Sequence, residues 1–402
     1  MRFYEFETKT ILARRGIPVP EGSRAANAGE AASAAQELGG AVVVKAQLLV
    51  SSKAGASRSD ESQAVDSPEQ AATATEELLK IDDGGRGPRG VLVEKVHAAT
   101  AEYSLSISYD GTAKQPLLLA ADVAGNIEDI ADAHPDRVVS RHFSALVPFS
   151  DYVAKEVAAG LGLNGSELNR MAGVIARLAR LFLDYDLTQA DIQTLARLED
   201  GSLLAVDCFS DMEVEAKYRQ KELLAEFGVG EEDTRSVREP TAFELAGKKI
   251  DDDDPRGIIG PVVEFGGNVG LVIGAGGGSL TLTDAVRKAG GDPANYAAIG
   301  GNPSVAKAVA LTKLVLGKPG VDKIAVMSNV VSNTRADLVA RGVIKGVIEM
   351  GFEPADKITI FRVPGAWEAD AVKILNKYGV EYCDRSVSIS EAAKRAVDKI
   401  NG

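Results

Sequence analysis

Two short patterns, far apart in the chain, most constrain how it folds. Near the N-terminus the apolar residues 41–44 lead directly to Lys45, as in a buried strand that ends on a lysine. Later the apolar residues 269–273 lead into a glycine-rich segment, 274–278. Glycines between a strand and a helix let backbone N–H groups approach an anion closely. The first pattern favours a lysine that binds nucleotide phosphate, although a strand-end lysine that reaches solvent has the same local sequence. The second pattern predicts an anion site.

The composition limits the classes of protein to which the chain can belong. Its 402 residues exceed one ordinary core, so two or three domains are expected. A net charge of -13 argues against nucleic-acid and anionic-membrane partners. Two cysteines, Cys208 and Cys383, are too few for a disulfide framework or a cysteine-based zinc site. The N-terminal segment is charged and no apolar run has bilayer length, so we expect a cytoplasmic protein.

A charged stretch divides the predicted elements into two parts. Residues 1–235 mix helical periodicity with strand pairs, including a hairpin over 187–206. Residues 236–256 contain four consecutive aspartates and are interpreted as a linker, although a solvated acidic loop has the same composition. Residues 257–402 alternate strands with helices, which predicts a doubly wound parallel sheet with strands that include 357–361 and 379–383.

The predicted sheet brings three loops to one edge. Ligands of doubly wound sheets bind beyond the carboxyl ends of the strands. We therefore expect the segments 274–279, 328–335 and 362–367 to gather at that edge.

Two aspartates, Asp191 and Asp207, lie on the two strands of the predicted hairpin. Carboxylates on paired strands destabilise a sheet unless something neutralises them. Mg²⁺ prefers hard oxygen ligands, so the pair predicts a magnesium site for nucleotide phosphates, unless one side chain points outward and stays hydrated. The polar, basic segment 50–58, with Lys53 and Arg58, can fold over phosphates, as can an ordinary surface loop.

Several motifs, in chain order, resemble those of the succinyl-CoA synthetase β subunit and of related ADP-forming carboxylate–CoA ligases. The resemblance covers nearly the whole chain. Its most specific motif is Gly-Gly-Asp-Pro-Ala-Asn at 290–295. Others are Gly-Ile-Pro-Val-Pro at 16–20, Val-Val-Lys-Ala-Gln at 43–47, Leu-Val-Glu at 92–94, Gly-Asn-Val-Gly at 267–270 and Asp-Leu-Val-Ala at 337–340.

This resemblance implies an α/β protein with an α+β ATP-grasp domain over 1–235, in two subdomains, and a flavodoxin-like CoA-ligase domain over 257–402. It implies that ATP or GTP, Mg²⁺ and CoA are used, with CoA bound mainly by a partner α subunit that carries the phosphorylated histidine. No catalytic residue is then expected here, which fits three histidines, His97, His134 and His142, without an obvious catalytic partner. The implied nucleotide residues are Lys45, Lys53, Arg58, Glu94, Val96 and Glu102, and the implied metal ligands are Asp191, Gln193 and Asp207.

The acid site implied by the family includes Asn268, Gly274 and Gly276, together with the loop at 331–335. Here the sequence departs from the family, whose Gly-Gly-Ile-Val-Arg is replaced by Val-Ser-Asn-Thr-Arg. The new loop resembles that of the citrate-using relatives. Its Ser332, Asn333 and Thr334 can donate hydrogen bonds to a second polar group of the acid, and Arg362 can pair with a remote carboxylate, although a polar loop without a ligand has the same composition.

Other departures lie near the nucleotide. The family run Gly-Gly-Arg-Gly-Lys is replaced by Val-Ser-Ser-Lys at 50–53, and Glu-Ile-Asn-Pro is replaced by Asp-Ile-Gln-Thr at 191–194. We interpret the chain as the β-type subunit of an ADP-forming acid–CoA ligase, with succinate as the default acid. Three alternatives stay open: malate or citrate as the acid, a carboxylate–amine ATP-grasp ligase that acts alone, and a regulatory subunit that does not use ATP.

Overall fold

The computed structural model describes residues 1–49, 61–81, 87–230, 233, 235, 239–274 and 276–402. It divides into two units, Met1–Glu239 and Pro240–Gly402, each with its own sheets and apolar core. Among the helices of the described ranges, none is long and apolar enough to cross a membrane.

Unit 1 combines seven α-helices and nine strands within its described part. The helices are α1 Glu5–Arg14, α2 Ala28–Leu38, α3 Pro68–Leu78, α4 Ile127–Ala133, α5 Asp151–Gly160, α6 Gly165–Asp184 and α7 Lys221–Glu226, with 3-10 turns at Pro135–Arg137 and Val214–Ala216. The strands are β1 Gly22–Ala25, β2 Val42–Ala46, β3 Ser62–Val65, β4 Val91–Lys95, β5 Ala101–Asp110, β6 Gln115–Ala121, β7 Val138–His142, β8 Leu187–Arg197 and β9 Leu203–Met212.

The first sheet of unit 1 is antiparallel, in the order β1-β4-β2-β3. Helices α2 and α3 cover one face, where small alanines allow close packing against Val42, Val44, Val91 and Val93. Both helices begin at side-chain caps, because Asn27 accepts from the amide of residue 30 and Ser67 from the amide of residue 70. Lys45 lies one residue before the end of β2, close to the strand end that the sequence predicts.

The second sheet of unit 1 has the antiparallel order β7-β6-β5-β8-β9. Helix α6 packs its predicted apolar face against it, and Met171, Ile175, Leu178 and Phe182 of that face are buried. Burial of each such side chain stabilises the fold by about 1.5–3 kcal/mol. The predicted hairpin is confirmed as β8 and β9.

The β8–β9 ladder is irregular where the candidate metal ligands lie. Asp191 pairs with Phe209 and Asp207 pairs with Thr194, so the two aspartates are not directly opposite each other. The ladder skips Gln193 and Val206, which form β-bulges. Each bulge releases a backbone carbonyl: that of Gln193 accepts from Gly125 N, and that of Val206 accepts from Lys45 Nζ.

Unit 2 alternates strands and helices. The strands are β10 Ile258–Glu264, β11 Val269–Gly274, β12 Asn295–Gly300, β13 Lys323–Met327 and β14 Ile358–Arg362. The helices are α8 Ala242–Asp253, α9 Gly278–Lys288, α10 Val305–Leu316, α11 Ala336–Glu349, α12 Pro354–Lys357, α13 Glu368–Lys377 and α14 Ile389–Asn401.

The sheet of unit 2 has the order β10-β12-β11-β13-β14, in which β10 is antiparallel and the other four strands are parallel. Helices α10, α11 and α13 cover one face and α9 and α14 the other. The predicted doubly wound sheet is thus confirmed, with the order typical of flavodoxin-like folds. The strand expected over 379–383 is wrong, because that segment forms only an isolated bridge, Phe361 to Tyr382.

The sequence predicts a linker over 236–256, but helix α8 of this segment belongs to unit 2. Ion pairs and hydrogen bonds of its aspartates hold it there. Asp251 Oδ1 accepts from Lys307 Nζ at 2.7 Å and from Ile259 N at 2.6 Å, and the Asp254 carboxylate accepts from Ser304. Lys307 is only 1% exposed. Burial raises the pKa of Asp251, but the bonds from Lys307 and Ile259 outweigh it and hold the pKa below its ordinary value. Part of the acidic run therefore stabilises the fold of unit 2.

We expect Asp251→Asn to lower the free energy of unfolding of unit 2 by about 2–3 kcal/mol, because it leaves the buried Lys307 ammonium without its counter-charge. Since the pKa of Asp251 is lowered in the fold, this contribution is present at neutral pH and is lost as the pH falls through that lowered pKa. The measurement is urea unfolding followed by the fluorescence of Trp367, the one tryptophan of the chain, which lies in unit 2.

The matched control is Asp253→Asn, which removes an exposed partner of Lys249 on the same helix. Its effect should stay within about 0.5 kcal/mol. Equal effects of the two substitutions would mean that the whole acidic run is merely solvated.

Candidate functional site

Lys45 lies in a group of buried charges, which we call the Lys45 cluster and define as Glu5, Lys9, Lys45, Glu94 and Asp207. Lys45 Nζ lies 2.7 Å from Asp207 Oδ1, 3.1 Å from Glu5 Oε1 and 3.1 Å from Glu94 Oε2. It also donates to the bulged carbonyl of Val206 at 2.8 Å. The alternative of a lysine that reaches solvent is wrong, since the side chain is 8% exposed.

The cluster depends on four elements of unit 1. Glu5 and Lys9 stand one turn apart on α1 and are 3.0 Å from each other, while Lys9 Nζ also contacts Glu94 at 2.5 Å. Lys45 comes from β2, Glu94 from β4 and Asp207 from β9, so the cluster joins the two sheets. The sequence analysis gave Glu5 and Lys9 no role at the site; their i,i+4 spacing is the signal that was available.

The charges in the cluster keep Lys45 protonated. Burial by itself lowers the pKa of Lys45, but Glu5, Asp207 and Glu94 together raise the pKa well above its ordinary value. Within the part of the chain that the structure describes, the cluster combines three carboxylates with two ammonium groups.

Asp191 and Asp207 face the same side of the second sheet. Asp191 pairs with Ser106 on one side and Phe209 on the other, and Asp207 precedes Phe209 by two residues. Asp191 has its own hydrogen bonds: its Oδ1 accepts from Ser106 Oγ at 2.6 Å and its Oδ2 from Gln189 Nε2 at 2.7 Å. Asp207 is instead paired with the Lys45 ammonium.

One polar atom on this face has no partner within the described residues. Ser104 lies two residues before Ser106, is 1% exposed and has a buried hydroxyl without a hydrogen bond. In the same ranges, three or more His, Cys, Asp or Glu side chains do not come together as a metal site. Asp207, Asp191 and the neighbouring Gln193 therefore fit Mg²⁺ only as one or two carboxylates that act together with phosphate oxygens, which is the usual way proteins bind this ion.

The other predicted nucleotide-binding residues do not gather at one place in the described structure. Lys53 and Arg58 lie outside the described residues. Glu94 sits on an interior strand and its buried side chain belongs to the Lys45 cluster, so a contact of Glu94 with a nucleotide stays a prediction. Val96 N already donates to Ala41 O, and Glu102 is exposed at the start of β5. A contact of Val96 or Glu102 with a nucleotide stays a prediction.

Unit 2 confirms that its loops gather at the carboxyl edge of the sheet. A Cβ on Gly274 would lie 2.2 Å from Ser328 Cβ, and one on Gly278 would lie 2.9 Å from the side chain of Asn329. The glycines therefore let the end of β11 approach the loop after β13. Gly276 has a φ of 93° and open space around its Cβ position, which leaves the backbone accessible.

The other acid-site residues are placed differently from one another. Ser332 and Asn333 are exposed on the loop after β13, and Thr334 is 5% exposed. Arg362 is buried and connects two loops at this edge. Its Nη1 donates to Ser328 O at 2.5 Å and its Nε donates to Val387 O at 2.8 Å. Asn268 precedes β11 and lies at the amino end of that strand, so its contact with an acid stays a prediction.

Arg335 and Trp367 form a contact at this edge that the sequence analysis did not identify. The guanidinium carbon of Arg335 lies 3.8 Å from the ring centroid of Trp367, and two of its nitrogens bond to Asp337 at 2.8 and 3.0 Å. Such a cation–π contact fixes a planar cation beside the loop.

Comparison with known proteins agrees with these two units. The family model of the ATP-grasp domain matches residues 2–197. The β subunit of ADP-forming succinate–CoA ligase from Methanothermobacter thermautotrophicus is 31% identical over 99% of both chains. That from Roseiflexus sp. is 30% identical over 99% of this chain and 98% of its own. The chain belongs to the family of ADP-forming succinate–CoA ligase β subunits.

Solved structures show the same fold over the whole chain. ATP citrate lyase from Methanothrix soehngenii, in complex with citrate and coenzyme A, covers 99% of each chain with a TM-score of 0.68 and 17% identity. At this identity the likeness shows the fold, an ATP-grasp unit followed by a flavodoxin-like unit. Four members of the Lys45 cluster, Glu5, Lys9, Lys45 and Glu94, lie within the residues that the ATP-grasp model matches, and Asp207 follows them in the chain.

We expect Glu94→Gln to lower the free energy of unfolding of unit 1 by about 3–5 kcal/mol, because it leaves two buried ammonium groups with fewer counter-charges. The measurement is urea unfolding followed by far-UV circular dichroism, with Trp367 fluorescence as a separate record of unit 2. Glu226→Gln, which breaks the exposed pair with Arg14, serves as control and should change stability by at most about 1 kcal/mol. Equal losses for both substitutions would contradict a stabilising role of the cluster.

Proposed function

We propose that this chain is the nucleotide-binding β subunit of an ADP-forming acid–CoA ligase. The observation that carries the proposal is the contact between Lys45 Nζ and Asp207 Oδ1, 2.7 Å long. It joins the strand-end lysine of one ATP-grasp sheet to a candidate metal ligand of the other. Family membership over nearly the full length of the curated relatives supports the proposal.

Unit 1 is proposed to bind the nucleotide. Lys45 then stabilises negative charge on the phosphates, and Glu5 and Glu94 keep its ammonium in place. Asp207 and Gln193, with Asp191 behind them, would hold Mg²⁺, which neutralises phosphate oxygens when bound. Because Ser106 and Gln189 already fix both oxygens of Asp191, its main role is to orient that part of the sheet.

Unit 2 is proposed to bind the acid at its carboxyl edge. Backbone N–H groups of the glycine segment and the N-terminus of α9 favour an anion there. The acid carboxylate takes the phosphoryl group from the partner subunit's histidine and becomes an acyl phosphate. The thiolate of CoA then attacks the acyl carbon and phosphate leaves, so that one difficult activation is divided into two steps.

We expect the purified chain to bind Mg·ADP but to form no acyl-CoA without an α subunit, because the phosphorylated histidine lies in that partner. Calorimetry should show that Lys45→Ala and Asp207→Asn each weaken Mg·ADP binding by roughly tenfold or more, since each removes a charged hydrogen bond. Lys373→Ala, at an exposed lysine of unit 2, is the control. Acyl-CoA formation by the isolated chain would instead support a ligase that acts alone.

The identity of the acid is open to a direct test. Ser332 and Asn333 are exposed on the loop after β13 and offer donors where the family has glycines and aliphatic side chains. A site with such donors should prefer malate or citrate over succinate by roughly tenfold, because an unmatched polar site rejects the less polar acid. kcat/KM for the three acids, measured with the co-expressed partner, checks this. Asn333→Gly and Thr334→Val should each reduce the ratio of kcat/KM for malate or citrate to that for succinate. A clear preference for succinate that neither substitution changes would contradict a role of this loop in selecting the acid.

A further inference from the structure

Lys45 is held by more acceptors than its ammonium has hydrogens. An ammonium offers three N–H donors, while Asp207, Glu5, Glu94 and the Val206 carbonyl all lie within 3.1 Å of Nζ. The shortest of these contacts is to Asp207. A lysine held in this way has to exchange at least one acceptor before it can donate to a phosphate.

Asp207 is the acceptor that a ligand can reach. Its side chain is 24% exposed, against 12% for Glu5 and 2% for Glu94. It also shares the sheet face with Asp191 and with the unpartnered hydroxyl of Ser104. An incoming cation therefore meets the cluster at Asp207, where Lys45 already sits.

A divalent metal ion and the Lys45 ammonium repel each other when both bind the Asp207 carboxylate. Mg²⁺ binds carboxylate oxygens at about 2.0–2.1 Å, and the Lys45 ammonium lies 2.7 Å from Asp207 Oδ1. Both cations on this group would repel each other across a few ångströms in a largely buried site. This repulsion is relieved if Lys45 leaves Asp207 to bind phosphate oxygens while the metal ion binds Asp207.

We propose that Lys45 occupies the metal's place on Asp207 in the nucleotide-free chain, so that metal and lysine exchange on this carboxylate. The proposal rests on the function proposed above and adds an order to it: the metal enters with the nucleotide rather than before it. Lys45 is then a positioning residue for the metal as well as a phosphate ligand. Lys9 does not share this role, because its bonds are to Glu5 and Glu94.

The test uses Mn²⁺ alone, without nucleotide, titrated into the full chain and followed by the electron paramagnetic resonance of free Mn²⁺. The wild type should bind it weakly. Lys45→Met should tighten binding by roughly tenfold or more, within the usual range of coupling between two sites. Lys9→Met, the matched control, removes the same charge from a lysine that bonds to Glu5 and Glu94, and it should tighten binding much less than Lys45→Met does. The double variant, Lys45→Met combined with Asp207→Asn, should not show this tighter Mn²⁺ binding.

Equal gains in the two lysine variants would overturn the proposal, because they would show only a general effect of charge. So would no gain in Lys45→Met, or a gain that survives Asp207→Asn. Circular dichroism shows whether each variant folds. Because the titration contains no nucleotide, it is independent of Mg·ADP binding, whose absence from the wild type would instead contradict the proposed function.

A second measurement on the wild type decides the question if Lys45→Met does not fold. Brief acetylation by acetic anhydride, read by peptide mass spectrometry, reports how accessible each lysine is. Mn²⁺ at a saturating concentration should raise the acetylation of Lys45 relative to that of Lys9, because the metal displaces Lys45 from Asp207. An unchanged ratio at that concentration overturns the exchange.

Discussion

The ATP-grasp unit depends on the buried contact between Lys45 and three carboxylates. Charges are costly to bury, and they persist in an interior only when partners and hydrogen bonds satisfy them. Here the partners come from α1, β2, β4 and β9, so the first sheet, the second sheet and the N-terminal helix are all needed to complete the set. The bulge at Val206 adds a backbone acceptor that a regular ladder would have used for itself. Folding of the unit and assembly of its candidate site are therefore one event.

Local patterns predicted the elements of both units but not the details of their pairing. The apolar face of α6, the β8–β9 hairpin and the alternation in unit 2 all follow from periodicity within a single segment. The bulges at Gln193 and Val206 do not, because they depend on how two strands fit across the sheet. For that reason the sequence indicated that Asp191 and Asp207 lie on paired strands, but not that they are offset and bonded by different groups.

Long-range ion pairs account for most of the other differences. Glu94 was expected only as a nucleotide residue, but its side chain pairs with Lys9, 85 residues earlier in the chain. The aspartates of 251–254 were read as part of a linker, but Lys307 on α10 draws Asp251 into unit 2. Neither partner is visible from the composition of the segment itself. Asn268 was assigned from the family resemblance, and it lies at the amino end of β11, whereas the glycine segment lies at the carboxyl end.

The close approach of the two loops in unit 2 restricts how the acid edge can change. Because Gly274 has no room for a Cβ beside Ser328, and Gly278 none beside Asn329, these positions are coupled in pairs. Substitutions at 274 and 328 should thus be epistatic, each tolerated only with its partner. A graft that transfers one loop from a relative would fail alone, while both loops moved together form a single exchangeable module.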